Sequence, residues 1–127
     1  CGCGEQKKVK ECNAFVTVIN AGVDKVQKGA GSSDGGSSVA ELRNLATEMD
    51  AIAAQTNQVE LTLPELQEHS KNYAAMATEV AGAARELAAA VDAVDMEKMN
   101  QAQKRMQSAV GREGPLIDGI NKFCRAP

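Results

Sequence analysis

The stretch Glu11-Cys12-Asn13-Ala14-Phe15-Val16-Thr17-Val18-Ile19-Asn20 decides how this chain is read. Cys12, Val16 and Ile19 belong to a longer series, Val9, Cys12, Val16, Ile19, Val23 and Val26, whose spacings alternate between three and four. That alternation holds one side of an α-helix apolar and is the seam pattern of a helical bundle. Phe15 widens the stripe on one side, as a bundle helix requires. Valine and isoleucine lose rotamer freedom in a helix, so packing has to keep this segment helical. The pattern predicts a first helix over about residues 5–29, ended by Gly29 and Gly31. A cysteine inside the seam predicts a staple to something distant.

Working outward, the composition fits an all-α chain. Of 127 residues one is Tyr, two are Phe and none is Trp, while Ala, Val, Leu, Met, Glu, Lys and Gln dominate. Most of these residues lose little side-chain freedom in a helix. The length suits one domain with its own core. A net charge of −3 argues against a nucleic-acid surface, which needs a dense basic face. No apolar run approaches the roughly 20 residues of a transmembrane helix.

After the first helix, Gly31-Ser32-Ser33-Asp34-Gly35-Gly36-Ser37 reads as a flexible connector; no basic residue follows its glycines, so it is not a phosphate loop. Ser38-Val39-Ala40-Glu41 has the form of a capping box and opens a second helix over about 38–60, with Leu42, Leu45, Met49, Ile52, Thr56 and Val59 in phase. Thr62-Leu63-Pro64-Glu65 has the same form and opens a third helix after a tight reversal at Leu61. Leu66, His69, Tyr73, Met76, Val80, Ala83, Leu87 and Ala90 form its stripe.

Between Ala83 and Val110 there is neither Gly nor Pro, so the third helix could run on for more than 40 residues. Asp92 and Asp95 are good N-caps and Glu97 suits a first turn, which favours a reversal near 91–95. Met99, Met106, Val110, Ile117, Ile120 and Cys124 then carry a fourth stripe over about 95–124, kinked or broken at Gly111-Arg112-Glu113-Gly114-Pro115. Four antiparallel helices of similar length, about 33 to 45 Å each, follow at 1.5 Å per residue. In up-down-up-down order the start of the first helix lies beside the end of the fourth, which brings Cys12 to Cys124. Closing a loop of that size stabilises by about 4 to 5 kcal/mol in the chain-entropy picture. A long third helix would carry the two cysteines apart, so their pairing favours four helices.

The start Cys1-Gly2-Cys3-Gly4 resembles a mature bacterial lipoprotein, whose first cysteine is acylated after its signal peptide is removed. The resemblance covers only these residues. It implies a covalent lipid on Cys1, a tether over residues 1–4 ahead of a bundle over 5–127, and placement in the cell envelope. Gly2 rather than Asp implies the outer membrane. Cys3 is then the odd thiol. Disulfides belong to exported proteins, consistent with the Cys12–Cys124 pairing.

Lys7, Lys8, Lys10, Lys122 and Arg125 gather at the end where Cys1 emerges, with Leu61 and Leu63 pointing the same way. Each basic group near an anionic bilayer adds about 1 kcal/mol of attraction, although a merely solvated basic end has the same sequence signature.

Catalytic patterns are missing. His69 is the single histidine, and the stripes hold no paired carboxylates, so no enzyme is expected. Covalent haem lacks its Cys-x-x-Cys-His motif. Met96, Met99 and Met106 are spaced for one helical face, with Met49 and Met76 on others; thioethers bind Cu(I), but at helical spacing methionine more often fills cores. No metal is expected, and no cofactor apart from the lipid. The sequence thus predicts a structural or accessory subunit of a larger membrane or surface assembly, in contact with membrane lipid and a protein partner. A ligand-binding or sensory bundle is the alternative, with Thr56, His69 and Tyr73 as its polar hints. A metal or redox carrier using Cys3, Cys12 or the methionines is the third.

Overall fold

A computed structural model of the chain describes residues 3–31 and 39–125. Cys1, Gly2 and Ser38 lie outside the described residues, and with them the lipid site and half of the first capping box. Five helices follow one another: α1 (Cys3–Gly31), α2 (Val39–Gln58), α3 (Pro64–Asp92), α4 (Met96–Val110) and α5 (Glu113–Arg125). They form an up-down-up-down bundle in which α4 and α5 together make the broken fourth arm. Cys3 and Gly4, assigned from the sequence to a tether, are already helical.

The breaks fall where the local chemistry puts them. Asp95 caps α4, its carboxylate accepting from the Lys98 amide at 3.1 Å. The α3–α4 reversal closes with Val94 N–H donating to Val91 C=O at 3.1 Å and Asp95 N–H to Ala90 C=O at 2.9 Å. That pair of bonds is a Schellman motif, whose second-to-last residue takes a left-handed backbone. The residue there is Val94, at φ 53°, although a β-branched side chain is poorly suited to that region. At Gly111 the α4 ladder stops, and α5 restarts with Pro115 in its first turn, where a missing N–H is harmless.

The long helix α3 is the hub. It buries Leu66, Tyr73, Met76, Val80 and Leu87, and its alanines let α2 and α4 come close on either side. Helix α1 lies chiefly on α2, and α5 lies across α3 and reaches α1 at one end of the bundle. The main core joins Phe15, Ile19, Ile52, Leu66, Tyr73, Met76 and Ile120. A smaller core at the other end joins Leu42, Leu87, Ala88 and Ala102.

The stripes expected for α2 and α3 hold, but those of α1 and α4 are rotated. Val9 is 57% exposed, and the buried face of α1 runs through Glu11, Cys12, Phe15, Ile19 and Gly22. The side chain of Phe15 is larger than those of its valine neighbours and sets the facing direction, with Val16 and Val23 left at the margin. Val110 is likewise 51% exposed, because Ala109 is the residue in contact with α3's side of the core.

Ion pairs tie the helices across the surface. Arg43 of α2 meets Asp92 of α3 at 2.8 Å, and Arg85 of α3 meets Asp50 of α2. Arg105 of α4 reaches Glu79 at 2.6 Å and also Glu86, passing over Gly82, where a Cβ would stand 3.1 Å from a guanidinium nitrogen. Exposed pairs of this kind contribute little singly. Their bond with Arg105 holds the Glu79 carboxyl below its ordinary value, against the opposing effect of burial.

Candidate functional site: the stapled end of the bundle

Cys12 of α1 and Cys124 of α5, 112 positions apart in the sequence, are joined by a disulfide with Cα atoms 5.9 Å apart. The pairing expected from topology is therefore present, and it marks the end of the bundle where most of the candidate residues lie. Cys12 is buried, while Cys124 is half-buried.

Around the staple the side chains are interlocked. The ammonium of Lys8 sits 4.6 Å from the centre of the Phe123 ring, a cation–π contact. His69 of α3 faces the same ring, with centroids 6.3 Å apart and planes tilted by 53°. Gly119 makes room for that imidazole, since a Cβ there would stand 3.2 Å from His69 Cε1. Tyr73 is fully buried and its hydroxyl donates to Glu113 Oε2 at 3.1 Å. Burial and the adjacent Glu113 carboxylate both push the phenol upward from its ordinary value, so it stays protonated and remains a donor.

The most consequential residue here is one that the sequence reading passed over. Glu11 is 7% exposed, yet its carboxylate is fully engaged. Oε1 accepts from the Thr62 amide at 2.7 Å and the Leu63 amide at 3.2 Å, and Oε2 accepts from the Thr62 hydroxyl at 2.6 Å. The capping box expected within Thr62–Glu65 does not form: Leu63 is the N-cap of α3, and no side chain of its own segment caps it. A carboxylate from α1 does that work from 51 residues away, where the helix dipole favours negative charge. Burial acts to raise the Glu11 carboxyl, but the bonds from Thr62 and Leu63 and the charge of Lys7 outweigh it, and it lies below its ordinary value. One signal in the sequence pointed this way. Glu11, Phe15, Ile19 and Gly22 share a face, so a charged residue stood in a buried phase and needed a partner.

The basic residues do collect at this end. Lys7, Lys10, Lys122 and Arg125 are exposed, and Lys8 is half-buried on Phe123. Leu61 and Leu63 are half-buried and rest against the main core. An open groove of about 890 Å³ runs along α5 past Asp118, Asn121, Lys122 and Arg125. A second, of about 420 Å³, lies between α2 and α3 beside Asn57, Gln67, Ser70, Lys71 and Thr78. Neither is lined by Thr56, His69 or Tyr73, so the three polar hints do not converge on one cavity. Thr56 is fully buried with its hydroxyl unpaired, while its carbonyl accepts from the Ser70 hydroxyl at 3.3 Å.

The methionines are dispersed: Met49 and Met76 fill the main core, Met99 packs against the smaller core, Met106 borders both, and Met96 is 64% exposed. Among the described residues no group of three or more His, Cys, Asp or Glu side chains is placed to hold a metal ion. No helix among them is long and apolar enough to cross a membrane. Compared with protein-family models, curated proteins and solved structures, the chain gives no match.

Proposed function

We propose that this chain is a non-enzymatic protein of the bacterial cell envelope, a disulfide-stapled bundle serving as an accessory subunit of a larger membrane or surface assembly. The observation that carries the reading is the Cys12–Cys124 disulfide, because such bonds persist in oxidising compartments and are rare in reducing ones. The basic residues around the staple give that end an affinity for anionic surfaces, whether lipid or protein. An acyl group on Cys1 rests on the resemblance of Cys1-Gly2-Cys3-Gly4 to mature lipoproteins and would hold this end near a bilayer. The stripes of α2 and α3 are filled by side chains, which suits a scaffold better than a ligand carrier.

Mild detergent extraction followed by affinity purification tests the accessory role. A stoichiometric protein partner is the expected result; a monodisperse monomer carrying a small molecule or metal would replace this reading with the ligand-binding one. Intact mass of the native protein tests the anchor by itself, since an unmodified Cys1 removes it.

A further inference from the structure

The helices are unequally embedded. α3 buries side chains along its whole length, whereas α5 buries Ile120 alone and leaves Leu116, Ile117 and Phe123 half-covered. A helix of 13 residues is marginal by itself in water, and α5 also contains Gly114, Pro115 and Gly119. It begins at a break in the helical ladder, at Gly111 and Arg112, and is tied down near its far end by Cys124. Between those points its polar ties among the described residues include the Tyr73–Glu113 hydrogen bond and the Lys8–Phe123 contact. A hinge at one end, a covalent tie at the other and thin burial between them is the geometry of a strap. α1, on the other side of the bond, is fixed by Glu11, Phe15 and Ile19 and is the stationary partner.

We propose that Cys12–Cys124 is a reversible latch and that α5 is the strap it holds, released by a protein dithiol of the Cys-x-x-Cys class. This goes beyond the envelope reading and does not depend on it. Half-buried Cys124 offers the sulfur within reach; Cys12 is 5% exposed. A thiolate of the reductant attacks Cys124 Sγ, the S–S bond breaks, and the electron pair leaves on Cys12 Sγ, which takes up a proton. The second thiol of the reductant then attacks the mixed disulfide and expels Cys124, which is protonated in turn. The reductant departs as its own disulfide, having passed two electrons to the chain. α5 then swings about residues 111–112 and bares the surface of α1 and α3 that it covers, Tyr73 included.

The test uses the purified full chain, with thioredoxin and dithiothreitol as the reductant and no denaturant. Amide exchange by mass spectrometry and limited trypsin digestion are followed before reduction, after it, and after reoxidation. In the reduced chain the amides of 113–125 are expected to exchange roughly tenfold faster or more and to become nearly unprotected, while those of Met76–Leu87 in α3 quicken only through the lower global stability and stay at least about tenfold slower than those of α5. Cleavage at Arg112 and Lys122 should quicken, and reoxidation should reverse both effects. The double variant C12S/C124S should behave as the reduced chain does. Unchanged protection of α5 on reduction overturns the proposal. So does loss of α3 protection together with α5, in the reduced chain or the variant, which would make the bond a global staple. Resistance of the native disulfide to thioredoxin overturns it as well.

Discussion

Removing the Glu11 carboxylate should destabilise the fold more than its place on a surface-rich helix suggests. The three hydrogen bonds it accepts, at 2.7, 3.2 and 2.6 Å, all go to a charged group. Single bonds of that kind contribute about 1.5 to 3 kcal/mol, and loss of a helix cap costs about 0.5 to 2 kcal/mol. These figures overlap rather than add, and exposed Thr62 regains water when its partner goes. Glu11→Ala is therefore expected to cost about 2.5 kcal/mol. Glu11→Gln keeps an acceptor oxygen but loses the charge that faces the helix dipole, and should cost about 1 kcal/mol. The pH dependence separates charge from shape. The folded carboxyl sits below its ordinary value of 4.5, so its contribution is fully present above that pH and disappears as pH falls through the folded value. Urea unfolding of wild type and both variants at pH 7 and at pH 3 makes the measurement. The gap between wild type and Glu11→Gln should be open at pH 7 and narrow on acidification. Refutation would be a gap that does not change between the two pH values, or a Glu11→Ala cost below about 0.5 kcal/mol, within the range of ordinary surface substitutions.

Three further substitutions probe other joints of the fold. Val94→Gly should raise stability by about 0.5 to 1 kcal/mol, because the left-handed backbone penalises valine by more than glycine adds to unfolded-chain entropy; a lower urea midpoint would count against it. Thr56→Val replaces a buried, unpaired hydroxyl by a methyl of the same shape and should stabilise by about 1 kcal/mol in the same assay, whereas destabilisation would mean that the hydroxyl has a partner. Gly22→Ala should cost about 1 to 3 kcal/mol, since its Cβ would fall well inside contact with Ile52 Cγ1, and the same substitution should cost less when made in an I52A background, where that contact is removed.

What the sequence made legible was whatever depends on period and topology. The α2 and α3 stripes, the Asp95 cap, the break at Gly111 and the partnership of Cys12 with Cys124 all follow from spacing and from the order of four antiparallel arms. What it hid depends on which of two adjacent faces wins. In α1 the seam through Val9 and Val16 competes with the face through Glu11, Phe15 and Ile19, and the phenyl ring's larger apolar area decides the contest. Once that face turns inward, Glu11 has to be satisfied, and the free amides at the start of α3 are the donors in reach. The local box Thr62–Glu65 loses to this remote carboxylate because Thr62 can be donor twice over to it, through backbone and hydroxyl. No reading of the Thr62 segment by itself contains that competition. The left-handed Val94 is hidden for the same reason: turn chemistry would put glycine there, and only the closing bonds from Val94 and Asp95 reveal the motif.

Helices α2, α4 and α5 are held to the α3 hub by different physics. α2 is joined chiefly by buried side chains from Leu42 to Thr56, an attachment spread over its length to which the exposed Arg43–Asp92 and Arg85–Asp50 pairs add little. α4 buries only Ala102 and Ala109, and relies on alanine-close approach together with the Arg105 bridge to Glu79 and Glu86, which passes over Gly82. Those exposed charges are open to screening. α5 buries Ile120 and depends on a covalent bond. Attachment therefore becomes less distributed toward the C-terminal end, while sequence distance from α1 grows. The disulfide stands where burial is thinnest and loop closure longest, the position at which a cross-link removes the most freedom from the unfolded chain. Glu11 makes the neighbouring joint, so the start of α1 grips α3 by its carboxylate and α5 by its sulfur from adjacent residues. The ten residues from Glu11 to Asn20 thus combine two ties with a core face, and the bundle closes on them.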